Sequence, residues 1–249
     1  MSNSNATSGF IDLATYDELD KYMYGGADAT AYFVRETRKS TWFTQVPVTL
    51  SNSSGTASFG NNYSVNISRV GDYLLQAWLR VTLGAFTVAA AGVGNIVAAS
   101  AVRWTRNFMH NLIKTCKIQF NDMLAEEFNS YNLDFWAAFS VPRSKQGAYD
   151  AMIGNTAQVI GQVQETASST ATTLMLPLPF FFSRDSGVAL PTAALPYNDM
   201  RISFEFRTVA ELLVHQNNTT NAYVALNPST DLTTLPTLSA VAVWGNYAI

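Results

Sequence analysis

Short stretches in which apolar and polar residues alternate recur along most of the chain and predict β-strands. In residues 115–121, for example, Cys116, Ile118 and Phe120 alternate with polar residues, so one strand face would be buried and the other solvated. The stretches with this pattern are 42–50, 62–68, 73–83, 115–121, 123–128, 173–182, 200–208 and 239–249. Eight antiparallel strands with long insertions at three connections indicate an all-β jelly roll. Strand spacing alone leaves other sandwiches and barrels open.

The stretch 73–83 is apolar on both faces. Its main apolar set consists of Leu75, Ala77, Leu79, Val81 and Leu83. Leu74 and Trp78 fall on the opposite face by alternation, so we expect them on the outer wall of the sandwich. A strand covered on both sides favours a second layer beyond its own sandwich, and Leu74 and Trp78 are therefore candidate assembly contacts.

The long insertions show other patterns. Residues 84–102 carry no charge but are dominated by Ala and Gly, so we expect an exposed loop rather than a membrane span. Residues 103–113 are consistent with a helical turn, and the period is helical across 129–161, where Leu133, Trp136 and Ala137 would share one face. We expect a polar loop after His215, and a turn at 51–55.

The first 40 residues predict an arm with one short helix. Thr15 and Glu18 have capping-box spacing. The apolar face of the helix would consist of Tyr16, Leu19, Tyr22 and Met23. A two-turn helix is not stable alone, so it must pack beneath its own domain or against a neighbouring subunit, and the pattern leaves both open. A cationic patch follows, formed by Arg35, Arg38 and Lys39, which is either a solvated face or a contact for an acidic partner.

Composition narrows the classes of function. The chain has 249 residues, 48% of them hydrophobic and 13% charged, which is typical of a folded domain. The net charge of −3 and the absence of a basic block give no reason to expect direct nucleic-acid binding. Cys116 is the only cysteine, which excludes an intramolecular disulfide. The N-terminus lacks the basic start and apolar core of a secretory signal.

Catalytic chemistry finds little support. Asp185-Ser186-Gly187 matches the triplet of aspartic proteases, but that chemistry requires two carboxylates and only one triplet is present, so a turn is the better interpretation. His110 and His215 are the only histidines, too few for a histidine-rich metal centre. We therefore predict no enzyme, no cofactor, no metal and no small-molecule substrate. A lectin-like jelly roll that binds sugars through its loops remains the alternative.

Several segments resemble the major capsid proteins of iridoviruses, a family of large icosahedral DNA viruses. The central one is LPLPFFFSRDSGVALPTAALPYNDMRI, from Leu176 to Ile202. The others are GFIDLATYDELDKYMYGG from Gly9, YFVRETRKSTWFTQVPV from Tyr32, SRVGDYLLQAWLRV from Ser68, RWTRNFMHNLIK from Arg103, LDFWAAF from Leu133, AMIGN from Ala151 and VWGNYAI from Val243. Together these segments span almost the whole chain.

The resemblance implies a structural protein with a double jelly roll that forms trimeric, pseudo-hexameric capsomers in the outer shell of the virion. It implies that residues 1–40 are an assembly arm at the capsomer base and that 41–249 are the first jelly roll, with the second absent after Ile249. The partners it implies are two further copies, neighbouring capsomers and minor capsid proteins, with an inner viral membrane nearby and assembly in the host cytoplasm.

Overall fold

The structure, a computed structural model, describes residues 10, 11, 14 and 41–249. The chain divides into two compact units, Met1–Trp42 and Phe43–Ile249. In the first unit, residues 10, 11 and 14 are helical. The second unit contains all the strands described below.

Sixteen strands form in residues 41–249. They are β1 (Gln45–Thr49), β2 (Ser51–Gly55), β3 (Asn62–Asn66), β4 (Tyr73–Leu83), β5 (Thr87–Val88), β6 (Ser100–Trp104), β7 (Ile113–Phe120), β8 (Met123–Asn129), β9 (Val163–Gln164), β10 (Thr172–Leu178), β11 (Leu190–Pro191), β12 (Met200–Phe206), β13 (Leu213–Asn217), β14 (Ala222–Val224), β15 (Leu232–Thr234) and β16 (Leu238–Ala248). Every pairing between them is antiparallel.

Ten of these strands form two facing sheets, and eight of the ten have nested connections. One sheet has the order β1-β16-β4-β10, with β11 beside β4, and the other has the order β2-β3-β12-β7-β8. Without β2 and β11, the first long strand pairs with the eighth, the second with the seventh, the third with the sixth and the fourth with the fifth. This nesting is the topology of a jelly roll, so the predicted fold class is confirmed. All eight predicted strands are present, with ends shifted by a few residues.

The core lies between the two sheets. Val65, Ile118 and Ile202 from one sheet and Leu79 and Val243 from the other are completely buried. Cys116 is buried among them with no disulfide, and burial raises the pKa of its thiol well above its usual range. It is therefore a small core residue, as alternation predicts.

The prediction that Leu74 faces outward is wrong. Leu74 is 0% exposed. Gln76 of β4 pairs with Asn246 of β16, and Leu74 of β4 pairs with Tyr247 of β16. Because Leu75 lies between them without a partner of its own, β4 has one more residue than β16 here, which is a β-bulge around Leu75. The bulge shifts the alternation by one position, which turns Leu74 into the core and leaves Leu75 half-buried.

The long connections contain the helices and two smaller sheets. The helices of residues 41–249 are α1 (Phe108–Leu112), α2 (Ser130–Ser140), α3 (Gln146–Ile153), α4 (Ala157–Ile160), α5 (Val209–Leu212) and α6 (Pro228–Asp231), with single 3-10 turns at Arg143–Lys145, Phe181–Ser183, Ser186–Val188 and Thr192–Ala194. Three connections together supply a sheet of order β14-β13-β6-β9, here called the insertion sheet, and β15 pairs with β5. The predicted helical period after residue 129 and the turn at Asp185 are confirmed.

Candidate assembly surfaces and buried polar clusters

The outer face of the β1-β16-β4-β10 sheet includes Trp78. Trp78 is half-buried and lies opposite Trp244 of β16 and Pro177 of β10. With Trp136 of α2 and Arg184 among its neighbours, it lines a cavity of about 100 Å³. Much of the cover over Trp78 therefore comes from this chain itself. Of the two candidate contacts on this strand, Trp78 remains a candidate and Leu74 does not, because the core encloses it.

The remaining candidate contacts lie outside the described residues. They are Tyr16, Leu19, Tyr22 and Met23 of the predicted arm helix, and Arg35, Arg38 and Lys39 of the cationic patch.

Among the helices of residues 41–249, α2 presents the most exposed apolar feature, an aromatic stripe. Tyr131, Phe135 and Phe139 are 78%, 67% and 78% exposed and follow each other at intervals of four residues. The rings of Phe135 and Phe139 are 4.7 Å apart, centre to centre. On the other side of the helix, Leu133 is fully buried, and Trp136 and Ala137, which are predicted to share its face, are half-buried. A helix that is apolar on both sides is expected to have both sides covered, so the stripe is a candidate contact surface.

The sequence contains a signal for this stripe. Tyr131, Phe135 and Phe139 have the i, i+4, i+8 spacing of one helix face. The face that contains Leu133, Trp136 and Ala137 is the more apparent apolar face in the sequence, and the stripe lies on the opposite face.

A cluster of three side chains connects three helices. His110 of α1 is buried, its Nδ1 lies 2.5 Å from Oδ1 of Asp134 on α2, and its Nε2 lies 2.8 Å from the hydroxyl of Tyr149 on α3. Asn107, in the left-handed region at φ 49°, precedes α1 and donates its side-chain amide to the same carboxylate oxygen at 3.0 Å. Burial lowers the pKa of His110, and this effect outweighs the hydrogen bond and charge of Asp134, which raise it.

A second buried cluster joins two of the long connections. Asp231 is buried at the end of α6 and accepts hydrogen bonds from the backbone N–H groups of Asn95 and Asn227, each at 2.8 Å. The side chains of Asn95 and Thr230 donate to it as well. Gly94 has a positive φ of 57°, and a Cβ there would overlap the Asp231 carboxylate. The cluster therefore requires glycine at position 94 and a carboxylate at position 231.

A polar groove of about 280 Å³ lies on the outer face of the other sheet. Ser64 of β3 and Ser203 of β12 are direct neighbours in it, and Lys117, Arg201 and Glu205 lie beside them. The aromatic residues that line it, Tyr63 and Phe204, are almost completely buried. The lining therefore offers no exposed aromatic ring against which a sugar could stack.

Among the described residues, no three His, Cys, Asp or Glu side chains are grouped as metal ligands would be. No helix in the described part of the chain is long and apolar enough to cross a bilayer.

Comparison with known proteins first defines the fold class. The Faustovirus major capsid protein has a similar structure, with a TM-score of 0.67 and 11% sequence identity over 98% of this chain and 62% of that one. At this identity the likeness establishes the fold alone: a jelly roll of the kind found in viral capsid proteins. Residues 31–249 match the family model described as "Major capsid protein N-terminus", and the chain belongs to this family.

The relatives confirm the resemblance to iridovirus proteins. The chain is 58% identical to the major capsid protein of Wiseana iridescent virus, over all of this chain and 52% of the relative. It is 56% identical to that of Simulium iridescent virus, over all of this chain and 53% of the relative. The chain thus spans about half the length of these relatives.

Proposed function

We propose that this chain is the first jelly-roll domain of a structural major capsid protein, which forms the outer icosahedral shell of a large DNA virus. The observation that supports this proposal most is the family match over residues 31–249, together with the jelly-roll topology of the two sheets. The role is structural rather than enzymatic, since the relatives at 58% and 56% identity are named for the capsid.

The capsomer is a homotrimer with a pseudo-hexagonal outline in this proposal, and a second jelly roll completes each subunit. The aromatic stripe of Tyr131, Phe135 and Phe139 then contacts another subunit, because capsid assembly provides a cover that the described part of one chain does not. Residues 1–40 form an arm that reaches neighbouring capsomers or minor capsid proteins near an inner membrane. Assembly takes place in the host cytoplasm, before the protein becomes part of the virion.

The structural role can be tested by mass spectrometry of purified particles of the virus that encodes this chain. Peptides from residues 41–249 should be a dominant component of the purified shell. Chemical cross-linking followed by mass spectrometry should join Lys114 or Lys145 to a second copy of the same chain, and Lys39 to a neighbouring capsomer or another shell protein. Particles without these peptides would contradict the proposal, and cross-links confined to one chain would contradict the proposed contacts.

Hydroxyl-radical footprinting tests the stripe itself. Phe135 and Phe139 should be oxidised several-fold more slowly in particles than in the isolated chain at a concentration low enough to keep it monomeric, because a neighbouring subunit covers them in the particle. Tyr197 is a control inside the same molecule, since it is 96% exposed and lies outside α2. Equal oxidation of Phe135 and Phe139 in the two samples would exclude the stripe as a contact.

A further inference from the structure

His110 is placed where its protonation state affects three helices at once. Its ring is 1% exposed, and both ring nitrogens are bonded to side chains of other helices, Asp134 on α2 and Tyr149 on α3. A polar cavity of about 210 Å³ lies beside it, and Gln146 and Asn155 are among its lining residues. The Asp134 side chain is 41% exposed, so the cluster is close to solvent although the imidazole is not.

The hydrogen bonds of the cluster suit a neutral imidazole. Nδ1–H donates to the Asp134 carboxylate, and Nε2 accepts from the Tyr149 hydroxyl. Burial raises the pKa of Tyr149, so this hydroxyl keeps its proton and remains a donor. A protonated imidazole would direct a second N–H at the same hydroxyl, which would have to turn its proton away. The contact between His110 and Tyr149 is then reversed, and the Tyr149 proton loses the acceptor that the neutral ring provides.

The charged groups around the His110 ring affect whether its neutral or its protonated form is favoured. Asp134 from α2 faces it directly, and Asp150 on α3 lies close enough to affect the neighbouring Tyr149. Asn107, before α1, is neutral and donates to Asp134, so it draws part of the carboxylate charge away from the imidazole. Transfer of a charged ring into this buried position is unfavourable, and one partly solvated carboxylate does not offset the cost.

We propose that the His110–Asp134–Tyr149 cluster is a pH-sensitive latch, and that protonation of His110 releases α2 and α3 from α1. In the unfolded chain a histidine titrates near about pH 6.5. The pKa of His110 is lower in the folded state, so the latch contributes its full stability above about pH 6.5. The contribution declines as the pH falls below that value and reaches its minimum below the folded pKa.

The consequence for assembly rests on the proposed function, but the latch itself does not. If α2 contacts a neighbouring subunit through Tyr131, Phe135 and Phe139, acidification loosens the helix that makes the contact. Mild acid would then weaken capsomers at this surface first. A measurement on the isolated chain examines the latch whether or not the chain forms trimers.

Hydrogen–deuterium exchange of the 249-residue chain at pH 7.5 and pH 5.5, corrected for intrinsic exchange rates, tests the proposal. Peptides that cover 130–153 should exchange several-fold faster at pH 5.5, while peptides from β4 and β12 should not change. In His110→Gln, which keeps a hydrogen-bonding side chain but does not titrate, the difference between the two pH values should disappear. His215→Gln is the matched control, because it removes the only other histidine and should leave the response of 130–153 intact.

A second variant keeps the test decisive if His110→Gln does not fold. Asp134→Asn removes the charge that favours the imidazolium, so in exchange measured at a series of pH values the midpoint of opening should lie about one unit lower than in the wild-type chain. An unchanged midpoint in Asp134→Asn, a full pH response in His110→Gln, or slower exchange of 130–153 in acid would each overturn the latch.

Discussion

Individual buried polar residues join the long connections to one another, and their partners are far apart in sequence. Asp231 accepts from Asn95, which is 136 positions away, and His110 bonds to Asp134 and Tyr149, which are 24 and 39 positions away. Neither role could be predicted from the sequence, because short motifs give no information on such pairs. In the sequence, His110 bears only on the exclusion of a histidine-rich metal centre.

Asp231→Asn should lower the free energy of unfolding by about 3 kcal/mol. The amide would turn an N–H₂ group towards buried donors and leave at least one of them without an acceptor. Urea denaturation measures the loss, with Asp185→Asn as the control, because Asp185 is exposed and should change stability by less than about 0.5 kcal/mol. Equal free energies of unfolding for the two variants would show that the Asp231 cluster does not stabilise the fold.

The pH dependence of the Asp231 contribution follows from the same contacts. Burial would raise the pKa of Asp231, but the N–H groups of Asn95 and Asn227 and the side-chain donors outweigh burial and hold the pKa below its usual range. The contribution is therefore present above the unfolded pKa of about 3.9 and is lost as the pH falls through the folded value. It is intact in the range where the proposed latch opens, so the two clusters respond to acid separately.

At the scale of single elements, alternation predicts the strands of the jelly roll but not their irregularities. The strand β4 was predicted with its correct bounds, 73–83, yet Leu74 was placed on the wrong face. The bulge around Leu75 is defined by the pairing with β16, and no feature of the β4 sequence shows it.

Leu74→Ala should therefore be far more destabilising than Leu75→Ala. Loss of the fully buried side chain leaves a cavity and should cost about 2–5 kcal/mol. Leu75 is half-buried, and its truncation should cost about 1 kcal/mol. Thermal or urea unfolding of the two variants compares neighbouring residues of the same type. If Leu75→Ala were the more destabilising variant, Leu75 rather than Leu74 would face the core, as simple alternation predicts.

Some strands are not predicted by the sequence, and the physical reason can be identified for each. The strand β2 has the sequence Ser-Asn-Ser-Ser-Gly with no apolar residue, and it was predicted as a turn because its stability comes from pairing with β3. The strands β6 and β13 are five residues long. The sequence predicts a loop and a helical turn where β6 lies, and the start of a polar loop at His215 in β13. The two strands form a sheet because three connections meet, which is a property of the tertiary fold rather than of any one segment.

At the scale of the whole molecule, the apolar surface lies in a different place from the one the sequence predicts. Alternation placed it on the outer wall of β4, formed by Leu74 and Trp78. In the structure Leu74 is in the core and Trp78 is half-buried, while Arg80 and Thr82 occupy the same wall. The stripe on α2, with Phe135 and Phe139 in ring contact, is the larger exposed apolar feature.

The isolated chain should therefore self-associate through α2. Three exposed aromatic side chains on one helix favour association in water, since each buried ring removes apolar surface from solvent. Phe135→Gln combined with Phe139→Gln should reduce self-association several-fold in light-scattering measurements over a range of concentrations, because glutamine maintains the helix and removes the apolar rings. Tyr197→Gln should have no such effect, since it removes a still more exposed aromatic residue outside the stripe. Association that persists in the double variant, or a wild-type chain that stays monomeric at high concentration, would show that the stripe does not drive contact between copies. In the first case, the outer wall around Trp78 would be the surface to test next.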